Sequence, residues 1–243
     1  MQPQEEGRDM RNNGKHGNWK GPSAAIALLA ALLLAVPAPA AFAADSDDAH
    51  AIVEKARLTF GEFLRDDNYS AMRDQLKHAR GILIYPQVLK GGFIIGGSGG
   101  TGALLVRDDK GEYSYPAFYT MGSVSLGFQI GGESAEVVLL VMSQKGIDSL
   151  LSSKFNLGGD VSVALGPVGG GAKGDITADF ISYAKSKGLY AGLNLDGSYL
   201  SVRDSLNNAY YGKEATPADI IVRRSVSNKE ADPLREDIRK AAK

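Results

Sequence analysis

The stretch that decides the fold is GILIYPQVLKGGFIIGGSGGTGALLVR, residues 81–107. Three short apolar runs, ILIYP (82–86), GFIIGG (92–97) and GALLVR (102–107), are separated by glycine and one proline. Runs of this length, rich in branched residues and bounded by glycine, read as strands rather than helices. Asp108-Asp109-Lys110-Gly111 follows as a turn signal, and EYSYPAFY (112–119) supplies a returning strand, so 102–119 predicts a hairpin. Further along, GSVSLGFQIGG (122–132) alternates small and large residues, and AEVVLLVM (135–142) has the texture of a fully buried strand. FNLGGDVSVALGPVGGG (155–171), ITADFISYAKS (176–186) and GLYAGLNLDGSYLSV (188–202) continue the strand-and-turn pattern.

Helical texture flanks this region. Residues 45–67 place Ala49, Ile52, Val53, Ala56, Phe60, Phe63 and Leu64 within an arc of about 120°, the width of a buried or membrane-facing stripe, after the N-cap candidates Ser46, Asp47 and Asp48. Shorter helices are expected at 70–78, 143–153, 203–211 and 216–222, and the charged tail 228–243 reads as a surface helix or a frayed end. Helices, then many strands, then helices predict an α+β fold with a mainly antiparallel sheet. The chain's 30 glycines fall overwhelmingly in the strand region, which points to a strongly curved or barrel-like sheet.

The first 43 residues are not expected to join that fold. Arg8, Arg11, Lys15 and Lys20 form a basic leader, and AAIALLAALLLAV (24–36) is an uncharged apolar core. Pro37, Pro39 and the small residues of Ala41-Phe42-Ala43 complete the pattern of an export signal cut after Ala43. The core falls short of the roughly 20 apolar residues that span a bilayer. Cleavage leaves a single domain, residues 44–243, expected in the periplasm or cell envelope or outside the cell. The leader holds four of the 27 Lys+Arg and three of the 28 Asp+Glu, so the remainder carries 23 basic and 25 acidic groups. A net charge of −2 gives no electrostatic footprint for nucleic acid. The chain has no cysteine, which removes disulfides, thiolate metal sites and a cysteine nucleophile together.

Two motifs suggest catalysis and fail on context. Gly97-Ser98-Gly99-Gly100-Thr101-Gly102 matches G-x-G-x-x-G, but a dinucleotide site needs a helix to begin there, and a strand with a turn follows instead. Gly96-Gly97-Ser98-Gly99-Gly100 matches G-x-S-x-G, but an elbow serine needs a later histidine, and His16, His50 and His78 all precede it. Asp160, Asp175, Asp179, Asp196 and Asp204 are scattered, with Asp175 and Asp196 suited to turns. No metal or cofactor is expected, and the chain reads as a non-enzyme.

Several blocks, in order, resemble the SYLF domain family: ARGILIYPQVLKGGFIIGGSGGTGALLVR (79–107), GEYSYPAFYTMGSVSLGFQIGG (111–132), FNLGGDVSVALGPVGG (155–170), ISYAKSKGLYAGLNLDGS (181–198) and NNAYYG (207–212). Tyr113 stands where many members have tryptophan. The resemblance implies a binding module without catalytic residues. In eukaryotic members it implies phosphoinositide binding, aided by an N-terminal amphipathic helix, and actin binding. For an exported chain it implies affinity for phospholipid, or for an anionic membrane surface in general. Lys55, Arg57, Phe60 and Phe63 of the first helix, with Lys90 in the glycine-rich turn, are the expected lipid contacts, with basic stems at the surface and rings inserted. The same apolar stripe suits packing on the sheet. An envelope scaffold for a protein or glycan partner is the alternative, and a hydrolase using Ser98 a more distant one.

Overall fold

The computed structural model describes residues 38–92, 95–126, 131–169, 176–186 and 195–243. The decisive stretch folds as one hairpin of two long strands, β1 (Gly81–Gly92) and β2 (Ile95–Val106), not as three short runs. Gly81 faces Val106 and Gly92 faces Gly96, with a register shift between Ile84 and Leu89. Pro86 lies inside that shift, where a residue without an N–H interrupts the ladder at least cost. The glycines that look like breaks are strand residues. At Gly100 and Gly102 the bulged partner passes so close that a Cβ would stand 2.3 Å from the Gln87 carbonyl oxygen and 2.5 Å from that of Ile84.

The 102–119 hairpin forms as expected, with Gly102 opposite Tyr119 and a bridge between Arg107 and Tyr113. Its turn is held by the Asp108 carboxylate, which accepts from the Lys110 and Glu112 amides at 2.9 and 2.8 Å. The segment 122–132 is not one strand. β3 (Ala117–Leu126) ends in it, and β4 (Gly131–Val141) begins against Gly92 of β1. With β5 (Lys154–Asn156), β6 (Val163–Leu165), β7 (Phe180–Ser186) and β8 (Tyr199–Val202), the sheet runs β5-β8-β3-β2-β1-β4-β7-β6. It is antiparallel except for the β6–β7 pair. β5 and β6 are its opposite edges, yet only residues 157–162 separate them, and Leu157 bridges to Val161. A link of that length reaches at most roughly 25 Å, so the sheet curls strongly into a half-barrel.

Alternation then gives the sheet two buried faces. On the inner face Leu83, Tyr85, Leu104, Tyr119, Leu139 and Leu200 form one core, closed by α3 (Gln144–Leu150) and a π-helical turn at Ala218–Val222. On the outer face Ile82, Ile84, Leu105, Phe118 and Leu140 are covered by α1 (Ala38–Arg65), α2 (Ser70–Leu76), α4 (Asp204–Tyr211) and α5 (Asp232–Ala241). Of the expected leader, only positions 38–43 fall among the described residues, at the start of α1. No helix of the described residues is long and apolar enough to cross a membrane. The tail is neither frayed nor merely superficial. Leu234 and Ile238, four residues apart on one face of α5, are buried in the outer core, and Arg235 donates to the Tyr113 carbonyl at 2.8 Å. High charge density hides this pair in the sequence, because two apolar positions in ten residues are enough to dock one helical face.

Asp179 ties the inner core shut. Its carboxylate accepts from the Ser143 hydroxyl at 2.5 Å and from the Ser162 amide and hydroxyl at 2.9 Å each. Ser143 in turn caps α3 by accepting from the Gly146 amide at 3.0 Å. Burial alone would push this carboxyl up, but the bonds from Ser143 and Ser162, with the Lys145 ammonium nearby, outweigh it and hold its pKa below the ordinary value. Asp179→Ala is expected to cost roughly 1–3 kcal/mol at neutral pH. A lowered folded-state pKa contributes stability above the ordinary carboxylate range, and this is lost as pH falls through the folded value. The difference between parent and variant in urea denaturation should therefore shrink from pH 6 to pH 3. An equal difference at both pH values would contradict this assignment.

Candidate binding surface

The catalytic motifs resolve as strand structure. Gly97–Gly102 lies inside β2, so no helix begins there to face a pyrophosphate. Ser98 is a mid-strand residue whose hydroxyl hydrogen-bonds across the ladder to that of Ser123 at 2.8 Å. It is not at a strand-to-helix elbow, and His50 is engaged with Glu230. Asp160 closes a local turn by accepting from the Asn156 amide at 2.7 Å, and Asp204 opens α4. Gly197, following Asp196, takes a left-handed turn conformation, and Asp175 lies outside the described residues. Among the described residues no cluster of three or more metal-ligating side chains occurs.

The five residues expected to meet lipid are not brought together. Phe60 and Phe63 are wholly buried in the outer core, where Phe63 packs at 4.5 Å on the Tyr69 ring. Membrane insertion by these rings would require α1 to leave the sheet. Lys55 is exposed, whereas Arg57 is paired through Nε with Asp237 of α5 at 2.7 Å. Reversing Arg57 would thus break a helix–helix contact as well as remove a cation. Lys90 faces away from α1. Val88, two residues earlier, points into the inner core, and strand alternation puts Lys90 on that same side, opposite Ser98 and Glu133. What α1 shows to solvent includes Leu58, 58 % exposed.

The register builds a different surface. On the outer face, at the end of the sheet farthest from Val106, one cross-strand row runs Tyr199, Gly122, Gly99, Leu89, Ser134. The next row runs Val124, Gly97, Gly91, Gly132. Tyr199, Leu89 and Val124 are 49 %, 56 % and 82 % exposed, and between them the floor is bare glycine backbone. Tyr199 and Leu89 stand three strand spacings apart, about 14 Å. Unlike Gly100 and Gly102, the floor glycines Gly91, Gly99 and Gly122 are not imposed by packing among the described residues, whereas at Gly97 a Cβ would stand 3.2 Å from the Ser123 carbonyl oxygen. A Cβ on Gly91 would meet nothing within 4 Å, and on Gly99 and Gly122 its nearest neighbours lie at 3.5 and 3.8 Å. The Lys154 ammonium sits 4.3 Å over the Tyr199 ring at one rim. The result is a shallow apolar trough with an open backbone floor. Its signal in the sequence is glycine at alternate positions of β2, legible only once the register shows which glycines face inward and which face out.

Residues 122–241 match the family model described as Ysc84, Las17-binding protein actin regulator. Over those residues the chain carries a Ysc84, or SYLF, domain. Its matches include Protein YSC84 of Saccharomyces cerevisiae, 35% identical over 167 residues, 65% of this chain and 35% of that protein. LAS seventeen-binding protein 3 of the same yeast is 34% identical over 169 residues, 66% of this chain and 36% of that protein. SH3 domain-containing YSC84-like protein 1 of Xenopus laevis is 33% identical over 141 residues, 56% of this chain and 42% of that protein. The match thus covers well under half of each relative's length. No solved structure matches the chain. The β3 end of the trough, β8 with Tyr199, and the C-terminal helices all fall inside the part that the Ysc84 model covers. LAS seventeen-binding protein 3 is named for binding, and the family model for binding and regulation.

Proposed function

We propose that this SYLF domain is a non-enzymatic binding module of the cell envelope that engages phospholipid surfaces through the trough at the glycine-rich end of its sheet. The observation that carries the reading is the row Tyr199, Gly122, Gly99, Leu89, in which exposed apolar walls flank a floor that packing among the described residues does not fill. The basic leader and the small residues before Ala44 support export and an envelope setting. Binding of this kind rests on apolar contact more than on charge. Lys90 faces Glu133 across the ladder, and the mature chain is nearly neutral. Zwitterionic and anionic vesicles are therefore both bound, with only modest dependence on salt.

Vesicle co-sedimentation tests this. Leu89→Glu with Val124→Glu places two charges on the rim and is expected to reduce pelleting at least tenfold while shifting the melting temperature little, since both side chains are already in water. Gly122→Val fills the floor and should do the same. A folded double variant that pellets like the parent would remove the trough from consideration.

A protein partner is the second reading, supported by the names of the relatives, one of which is Las17-binding. A trough about 14 Å wide also accepts a helix, whose diameter is about 10–12 Å. A partner captured from envelope extracts that survives delipidation, and is lost in Gly122→Val, would favour this reading.

A further inference from the structure

A second concavity lies at the other end of the hairpin, where β2 gives way to the Asp108 turn. It is a cleft of about 180 Å³ between the Tyr113–Tyr115 segment and the C-terminal segment Arg224–Ser227. Two guanidinium groups line it, Arg224 and Arg235, together with Ser225 and Ser227. Both arginines are fixed in place. Arg224 donates to the Asp108 carboxylate at 2.8 Å and to the Val106 and Glu112 carbonyls at 3.1 Å each. Arg235 donates twice to the Tyr113 carbonyl, at 3.0 and 2.8 Å, and once to Asp232 at 2.8 Å, while its guanidinium lies 4.1 Å over the Tyr115 ring. Arg224 is also the one non-glycine residue with a left-handed backbone among the described residues, φ 52°. That turn reverses the chain just where its side chain must reach back to Val106 and Glu112, and such conformations persist where surrounding contacts hold them.

Each guanidinium carries five N–H donors, and the bonds described use three. Two bonds of each arginine go to neutral carbonyls, which hold the group without cancelling its charge; one carboxylate stands against each. Two immobilised planar donors beside two hydroxyls form the donor set that recognises a tetrahedral oxyanion, and prior fixation of the side chains removes much of the ordering cost of binding.

We propose that the Arg224–Arg235 cleft is a phosphate site, taking inorganic phosphate or a phosphate monoester. Two sources share that chemistry, a free phosphate compound and a lipid headgroup. The geometry favours the free source. Gly99 in the trough and Val106 beside the cleft lie seven residues apart along β2, roughly 23 Å. Towards the cleft the outer face carries the helices of the outer core, whose diameter of about 10 Å holds a flat bilayer resting on the trough floor off the cleft.

Thermal unfolding of the full chain tests the proposal, with sodium phosphate compared against sodium chloride at matched ionic strength. Phosphate is expected to raise the melting temperature by roughly 3–7 °C at ten to twenty times its dissociation constant. Arg224→Gln should abolish the response. Because that variant also gives up contacts to Asp108 and two carbonyls, Ser227→Asp serves as the second probe. It places a carboxylate in the cleft, leaves both arginines intact, and should keep or raise the starting melting temperature while removing the phosphate response. No phosphate-specific shift in the parent overturns the proposal, as does a Ser227→Asp protein that responds like the parent. Phosphatidic acid vesicles separate the two sources: pelleting that inorganic phosphate competes away and Ser227→Asp abolishes assigns the headgroup, and pelleting indifferent to both assigns the free compound. Gly122→Val keeps the two sites distinct, since it should abolish vesicle binding and leave the phosphate shift intact.

Discussion

Phe60→Ala is expected to lower the unfolding free energy by about 3–5 kcal/mol, the range for truncating a fully enclosed phenyl ring. Phe60 has no exposed surface, and it packs with Ala56, Phe63 and the strand residues of the outer core. For a domain of this size each kcal/mol moves the melting temperature by about 2–4 °C, so a fall of roughly 10 °C or more should appear in a thermal scan. Urea denaturation should show a lower midpoint with an unchanged slope, since the folded state still buries the same sheet. The measurement decides more than a packing energy. If α1 spent much of its time off the sheet, presenting Phe60 and Phe63 to a membrane, the ring would contribute little to the folded state. A loss under about 1 kcal/mol would then replace the expected one. The docked helix of this structure predicts the large loss, together with vesicle binding that survives in whatever fraction stays folded.

The second large effect comes from one methyl group in β2. Gly102→Ala places a Cβ 2.5 Å from the Ile84 carbonyl oxygen and 2.7 Å from the Tyr85 ring. Both are held, one by the ladder and the other inside the inner core, so the strand itself must move. A loss of about 3 kcal/mol is expected, at the upper end for overpacking. Gly99→Ala, three residues earlier in the same strand, is the matched control. Its Cβ finds only the Met121 carbonyl oxygen at 3.5 Å, an ordinary contact. Replacing a glycine where the backbone is compatible restricts the unfolded chain, so a gain of a few tenths to about 1 kcal/mol is expected instead. Circular-dichroism melts of the two variants side by side give the answer. Equal effects would mean that the bulge between Ile84 and Leu89 does not press on β2 as described.

The contrast between these two glycines marks where reading the sequence stops. Apolar runs between glycines identified strands, and the Asp108–Gly111 turn correctly predicted the hairpin that it closes. The 3.6-residue stripe from Ala49 to Phe63 identified α1, because local periodicity reports which side of an element is apolar. Periodicity does not report what that side touches. The stripe is equally compatible with a sheet and with a membrane, and it was the sheet that took up Phe60 and Phe63. Lys90 was grouped with Lys55 and Arg57 because they share a sign of charge. A strand reverses its facing at every residue, and the shift at Pro86 resets the count, so only the register shows that Lys90 faces away from α1.

What the sequence by itself determined is therefore local and compositional. It specified an α+β chain with a glycine-rich, mainly antiparallel sheet, with no cysteine chemistry, and with motif-like glycines whose context excludes a nucleotide loop. It also held the family resemblance that the Ysc84 match bears out. The tertiary structure decided everything that depends on residues far apart in the chain. It set the strand order that places β1 between β2 and β4, and the docking of α5 through Leu234 and Ile238. It aligned Tyr199 with Gly122, Gly99 and Leu89 from four different strands, and it brought Arg224 and Arg235 beside residues more than a hundred positions away. The physical reason is the same in each case. Backbone preference and hydrophobic period act over a few residues, whereas a trough floor or a pair of guanidiniums is assembled by register and curl, and these are set by the burial of both sheet faces at once.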